Sequence, residues 1–301
     1  MAASEMKCVI PAAGYGTRFL PATKAIPKEL MPLVDKPVAQ HVLEEAAAAG
    51  LRQALMVVGR HKQALLDHFD RSFELEQHLI RSGNDSALAK SLACSGLAEL
   101  HYMRQGETRG VGHAVLCARS YVGDQPFAVL LPDEVMDPQA RLLERMMAVR
   151  RDMGGSIVAL TRVDPSEIHL YGSARVEPTA EKDVVRITGL IEKPETDEAP
   201  SDLAVVGRFI LDPHIFGELA HTPPGHGGEL QLTDALDTMA CQDSDGGPVH
   251  GVILSGRRHD TGNPDGYLRA TVELACAHTE IGPQFRSWLR TYVADRCREE
   301  D

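Results

Sequence analysis

The sequence has no cysteine or histidine motif and no apolar run of membrane length. Its 6 cysteines in 301 residues are dispersed, with no C-x-x-C pair and no short ligand spacing. This distribution argues against a disulfide framework and against a structural zinc site. No uncharged apolar stretch approaches the length that spans a bilayer, and the first apolar run, residues 8–13, is interrupted by Pro11. We expect a cytoplasmic protein with no membrane partner.

Positive charge is scarce as well. Lysine and arginine together number 31, against 43 for aspartate and glutamate, which gives a net charge of −12. Nucleic acids and anionic lipids repel a surface of that sign. We therefore expect no nucleic-acid partner, and any phosphate binding must depend on a local group of cations. The chain also lacks repeats, low-complexity tracts and long linkers, which favours one domain over residues 1–301.

Short apolar runs alternate with longer amphipathic stretches in the first half of the chain. This alternation is typical of β-α units that build a mostly parallel sheet covered by helices. After Gly154 and Gly155 several strand-like runs are separated only by turns, which predicts antiparallel insertions. The predicted fold is α/β: a Rossmann-like doubly wound mixed sheet with antiparallel insertions and C-terminal helices. The predicted strands cover residues 7–10, 53–58, 102–104, 127–131, 156–160, 174–177, 184–192 and 203–211, and the predicted helices begin near residues 37 and 112 and cover 230–240, 267–278 and 285–294.

One loop concentrates the scarce positive charge. Residues 12–37 follow the first predicted strand and contain Gly14 and Gly16, where the backbone can approach a ligand and its amide groups can cradle phosphate oxygens. Residues 1–36 carry five basic side chains against three acidic ones. Four prolines stiffen the loop, so that its cations are held in place. The loop is a candidate site for a polyanion.

Two other phosphate-binding motifs fit this loop poorly. Phe19 occupies the third glycine position of the dinucleotide fingerprint, and no helical pattern begins at once. The G-K-[ST] ending of a Walker loop is missing. A plain alternative is a surface loop whose basic residues offset nearby carboxylates, but the length of the whole basic segment argues against it.

The loop also resembles a known family. The pattern G-x-G-T-R-x-x-P-x-T-K-x-x-P-K at residues 14–28 is similar to the signature of sugar-nucleotide pyrophosphorylases, and the sequence A-T-K-A-I-P-K-E followed by V-D-K-P is similar to bacterial UTP:glucose-1-phosphate uridylyltransferases. Further family motifs follow in order, among them R-Q-G-E at 104–107, F-A-V-L-L-P-D at 127–133, I-E-K-P at 191–194 and Q-L-T-D-A at 231–235. The resemblance covers residues 6–290 and implies the nucleotide-diphospho-sugar transferase fold.

The resemblance implies a reaction between two anions. A phosphate oxygen of glucose 1-phosphate attacks the α-phosphorus of UTP and expels pyrophosphate, so positioning and charge neutralisation supply the acceleration and no protein nucleophile is needed. Asp133, directly after a predicted strand, and Asp234, near the start of a predicted helix, correspond to the two carboxylates with which the family holds Mg²⁺. Asp137, Asp164 and Asp237 match no family motif, and we expect them at the surface.

The resemblance further assigns roles to individual positions. Arg18, Lys24 and Lys193 are the expected catalytic cations, two of them on the nucleotide and Lys193 on the sugar phosphate. The expected nucleotide-binding residues are Ala12, Ala13, Gly14, Gly16, Thr17, Arg18, Lys24, Gln105 and Gly110, and the expected sugar-binding residues are Gly172, Glu192, Lys193 and Val206. On this basis residues 1–153 form a nucleotide-binding half, about 154–262 a sugar-binding half, and about 263–301 C-terminal helices that pack on the sheet or on a second subunit.

Glu192 and Lys193 pose a geometric condition. In a regular strand, consecutive side chains point to opposite faces, so both can reach one sugar phosphate only if the chain turns there. Pro194 favours such a turn because it removes a ladder donor and restricts the conformation of Lys193.

Two alternatives remain open at this point. A thymidylyl- or cytidylyltransferase would use the same sugar phosphate and differ in only a few contacts to the base. A regulatory homologue without activity would keep the fold, although the intact Thr17, Arg18, Asp133 and Asp234 argue against it. The resemblance also implies a homodimer or homotetramer.

Overall fold

The computed structural model describes residues 6–241 and 246–299. Each strand and helix predicted from the sequence is present within these residues. The strands predicted at 53–58, 184–192 and 203–211 have these bounds, and the ends of the other elements are shifted. The strands are β1 Lys7–Ala12, β2 Pro32–Leu33, β3 Lys36–Pro37, β4 Gln53–Val58, β5 Glu99–Arg104, β6 Phe127–Leu130, β7 Glu134–Met136, β8 Ser156–Arg162, β9 Gly172–Pro178, β10 Val184–Glu192, β11 Leu203–Leu211, β12 Val249–Ile253 and β13 Arg258–Asp260. The helices are α1 Val38–Ala48, α2 Gln63–Phe69, α3 Phe73–Ser82, α4 Asp85–Ser95, α5 Val111–Cys117, α6 Arg119–Val122, α7 Leu142–Met153, α8 Ile215–His221, α9 Leu232–Cys241, α10 Pro264–Ala277 and α11 Gly282–Glu299.

A mixed sheet runs through the part of the chain that the structure describes. Its nine strands follow the order β5-β4-β1-β6-β11-β8-β12-β10-β9. The first four are parallel and are wound outward from β1 in both directions, as in a Rossmann-like half. β11 then pairs antiparallel with both β6 and β8, and β10 pairs antiparallel with β12 and β9. The predicted doubly wound sheet with antiparallel insertions is confirmed.

Helices cover both faces of the sheet because the central strands are apolar at consecutive positions. Along β1, Cys8 and Ile10 belong to one buried cluster, whereas Val9 belongs to the cluster on the opposite face. Helices α1 and α7 cover the first face, and α5, α8 and α9 cover the second. These layers hold the carboxyl ends of β1 and β6 in fixed positions.

Helix α10 packs against β2 and the start of α1. Ala270 is buried with Leu33 and Val38 in a third cluster, and the Tyr267 hydroxyl donates to the Pro32 carbonyl at 2.6 Å. The Tyr267 ring also packs edge-on against Phe19, with 5.8 Å between ring centroids. The C-terminal helix α10 therefore braces the glycine-containing loop. Across residues 6–241 and 246–299 no helix is long and apolar enough to cross a membrane.

The structure contains elements that the sequence analysis did not predict: strands β2, β3, β7, β12 and β13 and helices α2, α3, α4, α6, α7 and α8. Asp237, expected as a surface residue, is instead half-buried, and its Oδ1 accepts a hydrogen bond from the Leu190 amide at 2.7 Å. It thereby satisfies a donor next to the register shift between Ile187 and Gly189 in β10.

Candidate active site

A cavity of about 460 Å³ opens among the loops at the ends of the sheet strands. Segments distant in sequence contribute to its wall. The lining residues include Gly16, Thr17, Arg18, Lys28, Asp133, Glu134, Tyr171, Gly172, Glu192, Lys193, Val206, Thr233, Asp260 and Gly262. The cavity therefore joins residues from the predicted nucleotide-binding half and the predicted sugar-binding half.

The glycine-containing loop folds back on itself beside the cavity. Gly16 has φ +67°, and a Cβ at this position would lie 3.1 Å from the Lys28 Cβ and 3.2 Å from the Thr23 Cγ2. The Thr23 hydroxyl donates to the Gly16 carbonyl at 2.7 Å. A left-handed, closely packed position of this kind requires glycine. The close packing brings Lys28 to the cavity wall next to Thr17 and Arg18.

Lys28 is the lysine of this loop that the cavity contains. Its Nζ lies 2.6 Å from the Asp133 Oδ2. Burial opposes ionisation of the Asp133 carboxyl, but the Lys28 ammonium outweighs burial and lowers its pKa below the usual value. Lys24, the lysine expected from the resemblance, is exposed and does not line the cavity. Sequence reasoning missed Lys28 as a site residue, although the signature includes it.

A fully buried cation, Arg208, hydrogen-bonds to the backbone of the turn that carries Asp133. Arg208 donates to the carbonyl oxygens of Leu131 at 3.1 Å and Glu134 at 2.8 Å, and it pairs with Glu45 of α1 at 2.6 Å. Burying a guanidinium is costly unless it is paired and its donors are satisfied. The cost is offset here by contacts that fix the carboxyl end of β6.

Glu134, next to Asp133, has an unusual environment. Its Oε1 accepts a hydrogen bond from the Gly207 amide at 2.9 Å, and its Oε2 lies 3.4 Å from Arg258 NH1. Burial raises the pKa of Glu134 to about 7, although the Arg258 charge opposes this shift. Glu134 therefore links the Asp133 turn to β11 near Val206.

Glu192 and Lys193 both line the cavity because the chain turns where the sequence required it. Lys193 has φ +46°, and its amide donates to the Tyr171 carbonyl at 3.1 Å. The Lys193 Nζ lies 3.4 Å from the Glu192 Oε1. The Glu192 Oε2 accepts a hydrogen bond from the Thr233 hydroxyl at 2.8 Å. The Glu192 carboxylate is thus oriented from both sides.

Gly172 leaves room for that carboxylate. A Cβ at Gly172 would lie 3.1 Å from both the Glu192 Oε2 and the Thr233 Cγ2. Any larger residue would push Glu192 or Thr233 aside. Thr233 is a further site residue that the sequence reasoning did not assign, although it lies within the quoted motif Q-L-T-D-A.

The residues expected to contact the base lie outside the 460 Å³ cavity. Ala12 and Ala13 are buried at the end of β1. The Gln105 Nε2 donates to the Gly110 carbonyl at 3.1 Å and lies 3.0 Å from the His113 Nδ1. Burial lowers the pKa of His113 below its usual value, which favours the neutral ring. The structure therefore brings Gln105 and Gly110 together, but not into the wall of the 460 Å³ cavity.

The two carboxylates expected to hold a metal ion face different surroundings. Asp133 lines the cavity, whereas Asp234 does not. A Cβ at Gly225 would lie 2.1 Å from the Asp234 Oδ2, so this carboxylate points at the loop before α9. Burial and the nearby Glu192 charge raise its pKa. Within the described residues no group of three or more histidine, cysteine or acidic side chains is arranged to hold a metal ion. Asp133, with its lowered pKa and its place in the cavity wall, has the chemistry of an oxygen ligand for a hard cation.

Comparison with known proteins identifies the family. The family model described as nucleotidyl transferase matches residues 7–276. This chain belongs to the nucleotidyl transferase family. It is 42% identical over 294 residues, 98% of this chain and 96% of the relative, to UTP--glucose-1-phosphate uridylyltransferase YngB of Bacillus subtilis. It is 43% identical over 286 residues, 94% of this chain and 97% of the relative, to a UTP--glucose-1-phosphate uridylyltransferase of Staphylococcus haemolyticus.

Solved structures give the same result for this member of the nucleotidyl transferase family. A UDP-glucose pyrophosphorylase complexed with UDP-glucose superimposes with a TM-score of 0.82 at 38% identity, over 91% of this chain and 100% of that one. A UTP-bound UGPase from Acinetobacter baumannii superimposes with a TM-score of 0.87 at 34% identity, over 95% and 99%. The fold prediction made from the resemblance is thus confirmed.

Proposed function

We propose that this nucleotidyl transferase makes UDP-glucose and pyrophosphate from UTP and glucose 1-phosphate. The observation that carries the proposal is one cavity whose wall contains both the cations Arg18 and Lys28 and the Glu192–Lys193 turn. Relatives at about 40% identity named UTP--glucose-1-phosphate uridylyltransferase support it. They do not favour the thymidylyl- or cytidylyltransferase alternative.

The reaction transfers a uridylyl group. A phosphate oxygen of glucose 1-phosphate forms a bond to the α-phosphorus of UTP, and the bond from that phosphorus to the bridging oxygen breaks, which releases pyrophosphate. Bringing two polyanions together requires cations on both sides of the reacting phosphorus. In the proposal the Arg18 fork and the Lys28 ammonium bind the triphosphate, because a planar guanidinium suits two phosphate oxygens. Lys193 binds the sugar phosphate.

Magnesium is part of the proposal. Asp133 would hold the ion together with phosphate oxygens and water, a ligand set that suits Mg²⁺. When bound, Mg²⁺ would neutralise negative charge on the phosphates. Asp234 is the second carboxylate that the resemblance assigns to the metal. The ion pair between Lys28 and Asp133 keeps the Asp133 carboxyl ionised and thus ready to act as a ligand.

The remaining site assignments belong to the same proposal. The uracil base would lie against the end of β1, at Ala12, Ala13 and Gly14, with Gln105 and Gly110 beside it. Glu192 would accept hydrogen bonds from sugar hydroxyls, with Gly172 and Val206 forming the adjacent wall. A homodimer or homotetramer, and a cytoplasmic location, remain expectations from the sequence.

The test is pyrophosphate release across a matrix of UTP, dTTP and CTP against glucose, galactose and mannose 1-phosphates, with and without Mg²⁺. We expect the fastest release with UTP and glucose 1-phosphate, and only with Mg²⁺ present. A preference for dTTP or CTP would support the alternative transferase. No release in any combination would support a regulatory homologue and contradict the proposal.

Asp133→Asn should lower turnover about 100-fold, the effect of losing one electrostatic contact of this kind.

A further inference from the structure

Arg258 lies behind the cavity wall, where its guanidinium contacts three groups from separate segments. Its side chain is only 9% exposed. NH1 lies 3.4 Å from the Glu134 Oε2, and NH2 lies 3.9 Å from the Asp260 Oδ2. The guanidinium carbon lies 4.6 Å from the centre of the Tyr171 ring, close enough for a cation–π interaction. The Tyr171 hydroxyl in turn donates to the Asp260 Oδ2 at 3.3 Å.

Each partner of Arg258 holds a different part of the site. Glu134 follows Asp133 in the chain and binds the Gly207 amide. Tyr171 precedes Gly172, and its carbonyl accepts the hydrogen bond from the Lys193 amide at the turn.

The third partner reaches the glycine-containing loop. The Asp260 Oδ1 accepts a hydrogen bond from the Gly262 amide at 2.9 Å, and the Gly262 carbonyl lies 3.5 Å from Arg18 NH1. One cation is therefore connected to the Asp133 turn, to the Lys193 turn and to Arg18. These three groups come from both halves of the predicted site.

Arg258 also balances charge on this wall. Asp133, Glu134 and Asp260 place three carboxyl groups close together beside a cavity that has to accept phosphates. Lys28 pairs with Asp133, and Arg258 lies against the other two. Loss of Arg258 would leave Glu134 and Asp260 without the cation that they share, and the contacts that hold their backbone segments in place would be weakened.

We propose that Arg258 is a positioning residue that fixes the sugar-phosphate side of the cavity relative to the nucleotide side. The inference rests on the proposed function, because it concerns the alignment of two substrates. Each substrate binds largely to its own side, so a change in relative position alters their alignment more than the affinity for either one. In-line attack depends strongly on alignment, and a displacement of about 1 Å can cost on the order of 100-fold in rate.

The test compares Arg258→Gln and Arg258→Lys with Arg257→Gln. Arg257 is the adjacent residue, its side chain is 76% exposed, and it pairs with Glu273 on the outside of the protein. The measurements are kcat, KM for glucose 1-phosphate, and the Kd for UTP by calorimetry with Mg²⁺ and no sugar. They are made well below the melting temperature of each variant, so that only folded enzyme is compared.

We expect Arg258→Gln to lower kcat about 100-fold while KM for the sugar and Kd for UTP change less than about threefold. Arg258→Lys keeps the charge but lacks the planar fork, so it should lose about tenfold in kcat, and Arg257→Gln should match the wild type. A role in fold stability alone predicts a lower melting temperature with kcat retained, and that result would overturn the proposal. An equal loss in Arg257→Gln, or a loss of UTP binding as large as the loss of kcat, would also overturn it.

Two further outcomes separate this inference from the proposed function. A wild-type enzyme that fails to release pyrophosphate from UTP and glucose 1-phosphate contradicts the proposed function. An active wild type beside an unimpaired Arg258→Gln contradicts only the positioning role. If Arg258→Gln does not fold, a wild-type kcat in Arg258→Lys contradicts the positioning role instead.

Discussion

Thr233 offers a sharp test of the sugar side of the cavity, because its side chain can be changed without changing its volume. The residue is 6% exposed, and its hydroxyl donates to the Glu192 Oε2 at 2.8 Å. Thr233→Val removes this donor and leaves a methyl group in its place. A hydrogen bond to a charged group contributes about 1.5–3 kcal/mol. At about 1.4 kcal/mol for each tenfold change, the lost contact corresponds to roughly 10- to 100-fold.

The effect should fall on the sugar, since Glu192 is proposed to bind its hydroxyls. We expect Thr233→Val to raise KM for glucose 1-phosphate by about 10- to 100-fold, with UTP affinity nearly unchanged. Thr233→Ser keeps the donor and should remain within about threefold of the wild type. Thr238→Val is the matched control, because Thr238 lies on the same helix and its hydroxyl donates only to the Asp234 carbonyl at 3.2 Å. Unchanged sugar kinetics in Thr233→Val, or equal losses in the serine variant, would refute the reasoning.

Three further predictions concern phosphate binding, backbone packing and pH. Lys28→Gln should lower kcat/KM for UTP about 100-fold, and Lys24→Gln should lower it far less; equal losses in steady-state assays would contradict the placement of Lys28 in the cavity. Gly155→Ala should lower the free energy of unfolding, measured in urea, by several kcal/mol. Alanine is strained at φ +67°, and its Cβ would lie 1.8 Å from a backbone carbonyl oxygen. Gly83→Ala, at φ +66° in the left-handed helical region with nothing within 4 Å, should cost about 1 kcal/mol, and similar losses at both sites would show that the close contact is unimportant. Burial lowers the pKa of His250, so on acidification the unfolded chain takes up a proton before the folded protein does. The free energy of unfolding should therefore fall as the pH drops below 6.5. His250→Gln should reduce this dependence of the free energy of unfolding on pH, and an unchanged dependence would contradict the role of His250.

The part of the site that depends on local sequence could be predicted. Gly16 follows a buried strand within a proline-rich basic loop, and the structure shows a tight turn there that lines the cavity, whereas phosphate binding by this turn stays a prediction. The turn at Lys193 could be inferred because alternation along a strand and Pro194 left one arrangement in which both side chains reach the cavity. Eight of the nine strands of the sheet could be predicted, most clearly β11, where all nine residues are buried, whereas β12 was not predicted.

Other features depend on contacts between distant segments. Lys24 and Lys28 lie four residues apart in a loop of short turns, and only the close packing of Lys28 on Gly16 and its ion pair with Asp133 bring Lys28, and not Lys24, to the cavity. Two of the three partners of Arg258, Tyr171 and Glu134, lie about 90 to 120 residues earlier in the chain, so no spacing pattern indicates them. Helix α4 buries none of its residues, which leaves its apolar periodicity too weak to signal a helix.

Strand β11 enters the middle of the sheet only after about two thirds of the chain has been synthesised. Until residues 203–211 emerge from the ribosome, both β6 and β8 have an unpaired edge where β11 will later lie. Exposed edges of this kind pair readily with other chains. The nascent protein should therefore depend on chaperones or fast elongation through this region, and a fragment that stops before residue 203 should aggregate.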